Sequence, residues 1–188
     1  MKPAIFLDRD GVINENRDDY VKSWAEFRFL PGALEAIADL ARLAQPIVIV
    51  TNQSAIGRGH TTHEDVQTIH QRMIAAILDA GGRVDAVLYC PHHPDAQCTC
   101  RKPQPGMLLA AAERLHIRLD QSVFVGDAES DILAAQRAGC RPVLVRTGRG
   151  ENEARKLAEH RVSGYCALPD LAAAVAWIAA QPDMVSVS

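Results

Sequence analysis

Near the start of the chain, Ile5-Phe6-Leu7-Asp8-Arg9-Asp10-Gly11-Val12 sets two carboxylates two positions apart at the end of an apolar run, with a glycine directly after. A short apolar run closed by a glycine turn reads as a buried strand. Residues two apart in extended backbone point the same way, so Asp8 and Asp10 should converge at the strand's C-terminal end. Open α/β sheets bind their ligands at that edge. Three further polar groups each follow an apolar run of their own: Thr51-Asn52-Gln53-Ser54, then Arg101-Lys102, then Asp127 with Asp131. If those runs are strands of one parallel sheet, one crevice collects four carboxylates, hydroxyl and amide donors, and two cations. Carboxylates about 4 Å apart repel by roughly 4 kcal/mol at an effective dielectric near 20. Such a cluster calls for a cation, and oxygen donors select a hard one such as Mg²⁺. With Lys102, Arg101 and the Thr51 hydroxyl to neutralise phosphoryl oxygens, this is the outline of a phosphoryl-transfer site.

A second constellation runs Cys90-Pro91-His92-His93-Pro94-Asp95-Ala96-Gln97-Cys98-Thr99-Cys100. Thiolates with imidazole suit Zn²⁺, and four protein ligands close a structural site. Free thiols or a redox pair are the competing readings; a Cys-x-Cys with another Cys and His close by weighs toward metal. Spacing alone does not choose between His92 and His93. A zinc loop here would stiffen the segment that delivers Arg101 and Lys102.

These residues need a scaffold, and the hydrophobic pattern supplies one. Strands are expected at residues 5–7, 46–50, 84–89, 123–125 and 142–145, the apolar runs typical of parallel sheets buried on both faces. Between them lie helices opening at Pro31-Gly32, near Thr62, at Pro105-Gly106 and at Ser130, with two more near 153–159 and 169–180. Residues 14–29 have neither helical nor strand period and read as a loop; residues 164–166 form a short segment. Strand alternating with helix gives an α/β fold with a doubly wound parallel sheet. No linker divides the chain, so residues 1–188 are expected to form one domain, with the zinc loop at 90–100 inserted after the third strand. Only about forty residues separate Asp10 from Thr51, too few for a separate cap domain beside a loop and a helix. Recognition then falls to the loops, with Asn16, Asp18, Asp19, Tyr20 and Arg101 as candidates.

A chain of 188 residues, 48% hydrophobic, can bury a core without disulfides. Its five cysteines, an odd number, argue against a disulfide framework. Cys140 and Cys166 sit beside apolar segments as core residues. A net charge of -3 offers no general attraction to polyanions, and no basic, aromatic groove is apparent, which disfavours a nucleic-acid partner. There is no signal-peptide pattern and no apolar stretch long enough to span a bilayer. A cytoplasmic monomer acting on a small molecule, with no membrane partner, is the expectation. His60 and His63 are expected at the surface, His116 as a helix cap, and Gly148-Arg149-Gly150 as a solvated turn.

Taken in order, the strand-DxDG start and the TNQS, RKP and GDxxxD segments resemble those of the haloacid-dehalogenase-type (HAD) phosphatases, over nearly the whole chain. The resemblance implies that Asp8 is a nucleophile forming an aspartyl-phosphate. Asp10 would protonate the leaving alcohol and then activate water. Thr51 and Asn52 would contact the phosphoryl group, with Gln53 and Ser54 beside them as substrate-binding residues. Lys102 would pair with nucleophile and phosphate, and Mg²⁺ would be held by Asp8, Asp127 and the carbonyl of Asp10, with Asp131 supporting. The strings FLDRDGVIN, VIVTNQSAIGRG, YCPHHP, CTCRKPQPGMLL, VGDAESD and VLVRTG are similar to a subgroup acting on heptose bisphosphates and histidinol phosphate. The zinc ligands of that subgroup match Cys90, His92, Cys98 and Cys100. It implies a sugar-bisphosphate phosphatase of bacterial surface-polysaccharide synthesis, with Arg101 and residues 16–20 gripping the sugar or its far phosphate. The chain departs from that pattern in a short zinc loop and in Ala128, where many relatives carry Lys. Histidinol phosphate remains an alternative substrate. A non-catalytic, zinc-stabilised binding module is the alternative from another class.

Overall fold

In the computed structural model, which describes residues 1–181, the opening apolar run becomes β1 (Ile5–Leu7), wholly buried. It lies at the middle of a six-stranded parallel sheet. Its neighbours are β2 (Ile47–Asn52) and β4 (Val123–Gly126), with β3 (Ala86–Cys90) outside β2 and β5 (Arg141–Val145) and β6 (Cys166–Leu168) outside β4. The order β3-β2-β1-β4-β5-β6 reverses direction between β1 and β4, the switch point where such sheets open a crevice. Pairing of Leu7 with both Ile49 and Val125 brings Asp8, Thr51 and Asp127 to nearly one level.

Side-chain alternation along β1 divides the interior in two. Ile5 and Leu7 face one core, built with α1 (Ala33–Ala41), α3 (His63–Asp79) and α7 (Leu171–Ala179); Phe6 faces the other, built with α4 (Gly106–Leu115) and α5 (Glu129–Ala138). Helix ends follow local chemistry. Thr62 and Asp65 form a reciprocal capping box at the start of α3, and Gly139 closes α5 in the left-handed region. His116 caps α4 in the same conformation.

Several boundaries differ from the sequence reading. Strand β2 continues to Asn52, two residues past the apolar run, because Thr51 and Asn52 still pair with Tyr89 and Cys90. A single turn, α2 (Ser54–Gly57), follows it directly. Helix α6 (Gly150–Glu159) begins three residues early, in a polar first turn that carries no hydrophobic signal. Residues 164–166 lead into the edge strand β6. The aperiodic stretch 14–29 is anchored by aromatic contacts: Trp24 stacks on Phe27 at 5.0 Å and Phe27 meets Phe29 edge-on at 5.0 Å. Only this loop and α1 separate β1 from β2, and only the Cys/His loop separates β3 from α4. Among the described residues no helix is long and apolar enough to cross a membrane.

Candidate active site

Four strand ends deliver the site. Asp8 leaves β1, Thr51 lies in the last two residues of β2, Lys102 follows the Cys/His loop after β3, Asp127 follows β4, and Asp131 stands in the first turn of α5. One oxygen from each of Asp8, Asp127 and Asp131 lies within 4.8 Å of the others. The Lys102 ammonium reaches this buried cluster at 2.8 Å from Asp8 Oδ1 and 2.7 Å from Asp131 Oδ1. It also donates to the Val50 carbonyl at 2.9 Å. Three carboxylates against one ammonium leave a net negative charge in a buried space. Burial pushes the Asp8 carboxyl up to about 7, against the pull of Lys102. Asp127 is held well above the ordinary carboxylate range, first by burial and then by Asp8 and Asp131. For Lys102 burial favours the neutral form, but Asp131 and Asp8 outweigh it and raise its pKa. An all-oxygen donor set with unbalanced negative charge fits a hard divalent cation.

Glycines make room for this arrangement. A Cβ at Gly11 would lie 2.0 Å from Asp127 Oδ2, one at Gly148 2.3 Å from the same atom, and one at Gly126 2.3 Å from Asp131 Cβ. Gly11 (φ +88°) and Gly148 (φ +58°) also hold left-handed backbone. Asn16 Nδ2 and the Arg149 backbone N–H both donate to Asp127 Oδ2, at 2.6 and 2.8 Å. The turn expected to be solvated is thus built into the site, because its N–H and its glycine both abut a buried carboxylate.

All four expected carboxylates line one crevice, but only three of them meet in the cluster. Asp10 turns its carboxylate to the Arg9 guanidinium, whose Nη2 lies 2.8 and 2.9 Å from the two oxygens. Asn14 Nδ2 and Gln53 Nε2 donate to it as well, each at 2.9 Å. Burial alone would push Asp10 up; Arg9 and these amides overcome it and hold the carboxyl below its usual range. Gln53 also donates to Thr51 Oγ1 at 2.9 Å, so it braces two site residues. Both amide atoms of Asn52 bond to the Lys102 main chain at 3.1 Å. Its side chain therefore fixes the lysine, while the residue itself lines the cavity.

A cavity of about 250 Å³ opens over the cluster, lined among others by Asn16, Asp18, Tyr20, Ser54 and Arg101. Asp19 is a correction. It lies outside the lining, paired with Arg17 and Lys22, and these contacts steady a loop in which Tyr20 takes a left-handed φ of 69°. Arg17, inside the expected stretch 16–20, also lines the cavity, as do Arg149 of the turn expected to be solvated and Arg58, for which a single arginine in a loop carries no motif. Arg101 Nη1 is buried without a hydrogen-bond partner.

In the second constellation, Cys90 Sγ, His92 Nδ1, Cys98 Sγ and Cys100 Sγ form one cluster, five of the six separations being 3.2 to 3.5 Å and all of them within 4.8 Å. His93 turns instead to Asp95, its Nδ1 accepting from the Asp95 backbone N–H. Ligands around Zn²⁺ with Zn–S near 2.3 Å stand somewhat under about 4 Å apart, so these four atoms fit the ion with shifts of tenths of an ångström. Gly57 and Gly106 clamp the loop: a Cβ at either would meet its backbone, at 2.4 Å (His93 N) and 2.3 Å (Thr99 O).

Residues 99–174 match a HAD-hydrolase-like family model. The chain is 45% identical over 152 residues to the D-glycero-beta-D-manno-heptose-1,7-bisphosphate 7-phosphatase of Pseudomonas putida, covering 81% of this chain and 87% of that one. The chain belongs to the HAD phosphatases. The same-named enzyme of Pseudomonas aeruginosa is 41% identical over 92% of this chain and 95% of its own length. A crystal structure of the D,D-heptose 1,7-bisphosphate phosphatase of B. bronchiseptica, complexed with magnesium and phosphate, superposes with a TM-score of 0.88 at 43% identity, covering 95% of this chain and 98% of that one. In this HAD phosphatase the DxDG, TNQS, RKP and GDxxxD segments all reach the crevice at the sheet's switch point.

Proposed function

We propose that the chain is a Mg²⁺-dependent phosphoric monoester hydrolase that removes the 7-phosphate of D-glycero-D-manno-heptose 1,7-bisphosphate through an aspartyl-phosphate on Asp8. The observation that carries this reading is the meeting of Asp8, Asp127, Asp131 and Lys102 at one point, in a chain that shares four-tenths of its residues with enzymes of that name. Mg²⁺, held by Asp8, Asp127 and the Asp10 carbonyl with Asp131 behind them, would supply positive charge to the phosphoryl oxygens.

The protein's own groups do the rest. With Oδ1 facing Lys102, Asp8 offers Oδ2 to phosphorus, and the bond from phosphorus to the C7 oxygen breaks as the new one forms. Lys102 and the Thr51 hydroxyl neutralise charge on the equatorial oxygens. The leaving alkoxide takes a proton from Asp10. Water then attacks the aspartyl-phosphate, Asp10 accepts its proton, and inorganic phosphate departs with Asp8 restored. Arg9 favours the ionised form of Asp10, as the second half-reaction requires. A phosphate dianion arriving nearby raises its proton affinity and so favours the acid form for the first.

The unpartnered Nη1 of Arg101 suits the far phosphate, with Asn16, Asp18, Tyr20 and Ser54 around the sugar. Zn²⁺ on Cys90, His92, Cys98 and Cys100 would hold the loop that places Arg101 and Lys102. In this reading residues 1–188 act as one monomeric, cytoplasmic domain without a cap, in the synthesis of heptose for surface lipopolysaccharide. Phosphate release with Mg²⁺ from heptose 1,7-bisphosphate, fructose 1,6-bisphosphate and histidinol phosphate tests it. Preference for the first by at least tenfold in kcat/KM is expected. Preference for histidinol phosphate would reassign the substrate, and release from none of them would leave a metal-binding module.

A further inference from the structure

Behind Asp10, and outside the lining of the cavity, lies a charged group whose own surroundings the mechanism leaves unexplained. Arg9 is 0% exposed and is among the largest fully buried side chains. It sits between Asp10 on one side and His70 of α3 on the other, with His70 Nε2 3.2 Å from Arg9 Nη1 and the Phe27 ring 6.0 Å from the guanidinium carbon. A guanidinium only donates, so this contact requires His70 Nε2 to be an unprotonated acceptor. The His70 ring is itself buried, edge-on to Tyr89 at 5.5 Å. Stability is a weak reason for such an arrangement, because well-packed apolar residues of similar volume do as well as a buried ion pair or better. The consequence is geometric. Asp10 Oδ1 accepts from Arg9 and Asn14, and Oδ2 accepts from Arg9 and Gln53. Donors on both oxygens fix the plane and direction of the carboxylate.

We propose that Arg9 and His70 are positioning residues for the reaction: His70 fixes the guanidinium, and the guanidinium aims the Asp10 carboxylate at the leaving-group oxygen. The inference rests on the reading of Asp10 as the acid and base. His70 contributes through its acceptor nitrogen, not by touching substrate. Removing that acceptor leaves a buried guanidinium N–H unpaired, and the guanidinium then shifts and takes Asp10 with it. Proton transfer by a positioned group contributes about 10²- to 10⁴-fold, and misaiming forfeits part of that.

The test compares kcat/KM on heptose 1,7-bisphosphate, whose alkoxide leaving group needs a proton, with kcat/KM on 4-nitrophenyl phosphate, whose phenolate does not. The ratio of the two is independent of how much of a preparation is folded. In H70L the ratio is expected to fall about 10- to 100-fold, and in H70Q, which restores an acceptor, to return within about threefold of wild type. D10N is the reference and should lower the ratio at least as far. H70L should add little to D10N in the double variant, because the two act through one group. A ratio that falls in D10N but stays at the wild-type value in H70L overturns the clamp alone. A ratio unchanged in D10N overturns the acid–base reading and the inference with it.

Discussion

Replacing Lys102 with methionine keeps most of the side-chain volume and removes the ammonium that faces both Asp8 and Asp131. At 2.8 and 2.7 Å, each contact is worth about 6 kcal/mol of attraction at an effective dielectric near 20. Desolvation of the ammonium offsets several kcal/mol of that. The loss is also capped, because a carboxylate left without its cation can take up a proton, which costs an ordinary carboxyl about 4 kcal/mol at pH 7. The expected destabilisation is therefore about 3–4 kcal/mol in Mg²⁺-free buffer, or a melting temperature lower by about 10 °C for a chain of this size. Turnover should fall by at least about 10³-fold, since a protonated Asp8 is no nucleophile and the transition-state charge loses its neighbour. Urea unfolding at pH 7 with zinc retained, alongside phosphate release with saturating Mg²⁺, measures both. A loss below about 1 kcal/mol, or a kcat within about tenfold of wild type, would show that Lys102 does not couple the two carboxylates and would refute the reasoning.

Three other outcomes follow from the same geometry. Because burial raises Asp8 to about 7 and also raises Asp127 well above the ordinary carboxylate range, the folded chain keeps protons there that the unfolded chain loses near 4. Their contribution to Mg²⁺-free stability is full at low pH and declines as pH rises through about 7. His70, held down near 3 by burial and Arg9, has the opposite slope below about 6.5 but lies outside the cluster, so the difference between melting curves with and without Mg²⁺ isolates the carboxylates. That difference should grow from pH 5.5 to 8, with Mg²⁺ affinity falling by at least about tenfold per pH unit below 7; a pH-independent difference contradicts it. In C98S, metal analysis should find zinc lost and melting lowered by several degrees, about 2–4 °C per kcal/mol. Phosphatase activity should fall as well, although Cys98 does not line the cavity; unchanged melting would remove the zinc loop from the argument. G148A should reduce kcat by about 100-fold because its Cβ meets Asp127 and Gly11. G32A, also at positive φ but with open space around it, should cost about 1 kcal/mol and leave kcat intact; equal effects on kcat would undo the steric account.

Much of the site was legible in the chain because parallel strands impose it. Once the apolar runs at 5–7, 47–50 and 123–125 are strands of one sheet, Asp8, Thr51 and Asp127 have to share an edge. The Cys/His cluster was legible for a similar reason, since soft donors crowded into eleven residues are held near one another by the chain itself. Spacing stopped short of His92 against His93, which is a matter of rotamer and of the Asp95 backbone N–H that holds the second ring. It also stopped short of Asp10. Two carboxylates at the end of one strand look equivalent, yet the chain turns at Gly11 and buries Arg9 beside the second of them. The partners of that guanidinium come from α3 and from residue 27, far away in sequence.

What the residue order determined by itself was the sheet, the edge and the kinds of donor brought there, because a period of two and a buried strand leave no freedom in which end a side chain reaches. Tertiary structure decided how the charge is apportioned. It set three carboxylates against one ammonium, gave a fourth to Arg9, and diverted Asn52 and Asp19 to holding backbone and loop. Pairing of buried charge depends on distances between segments that are remote in the chain, and only folding sets those.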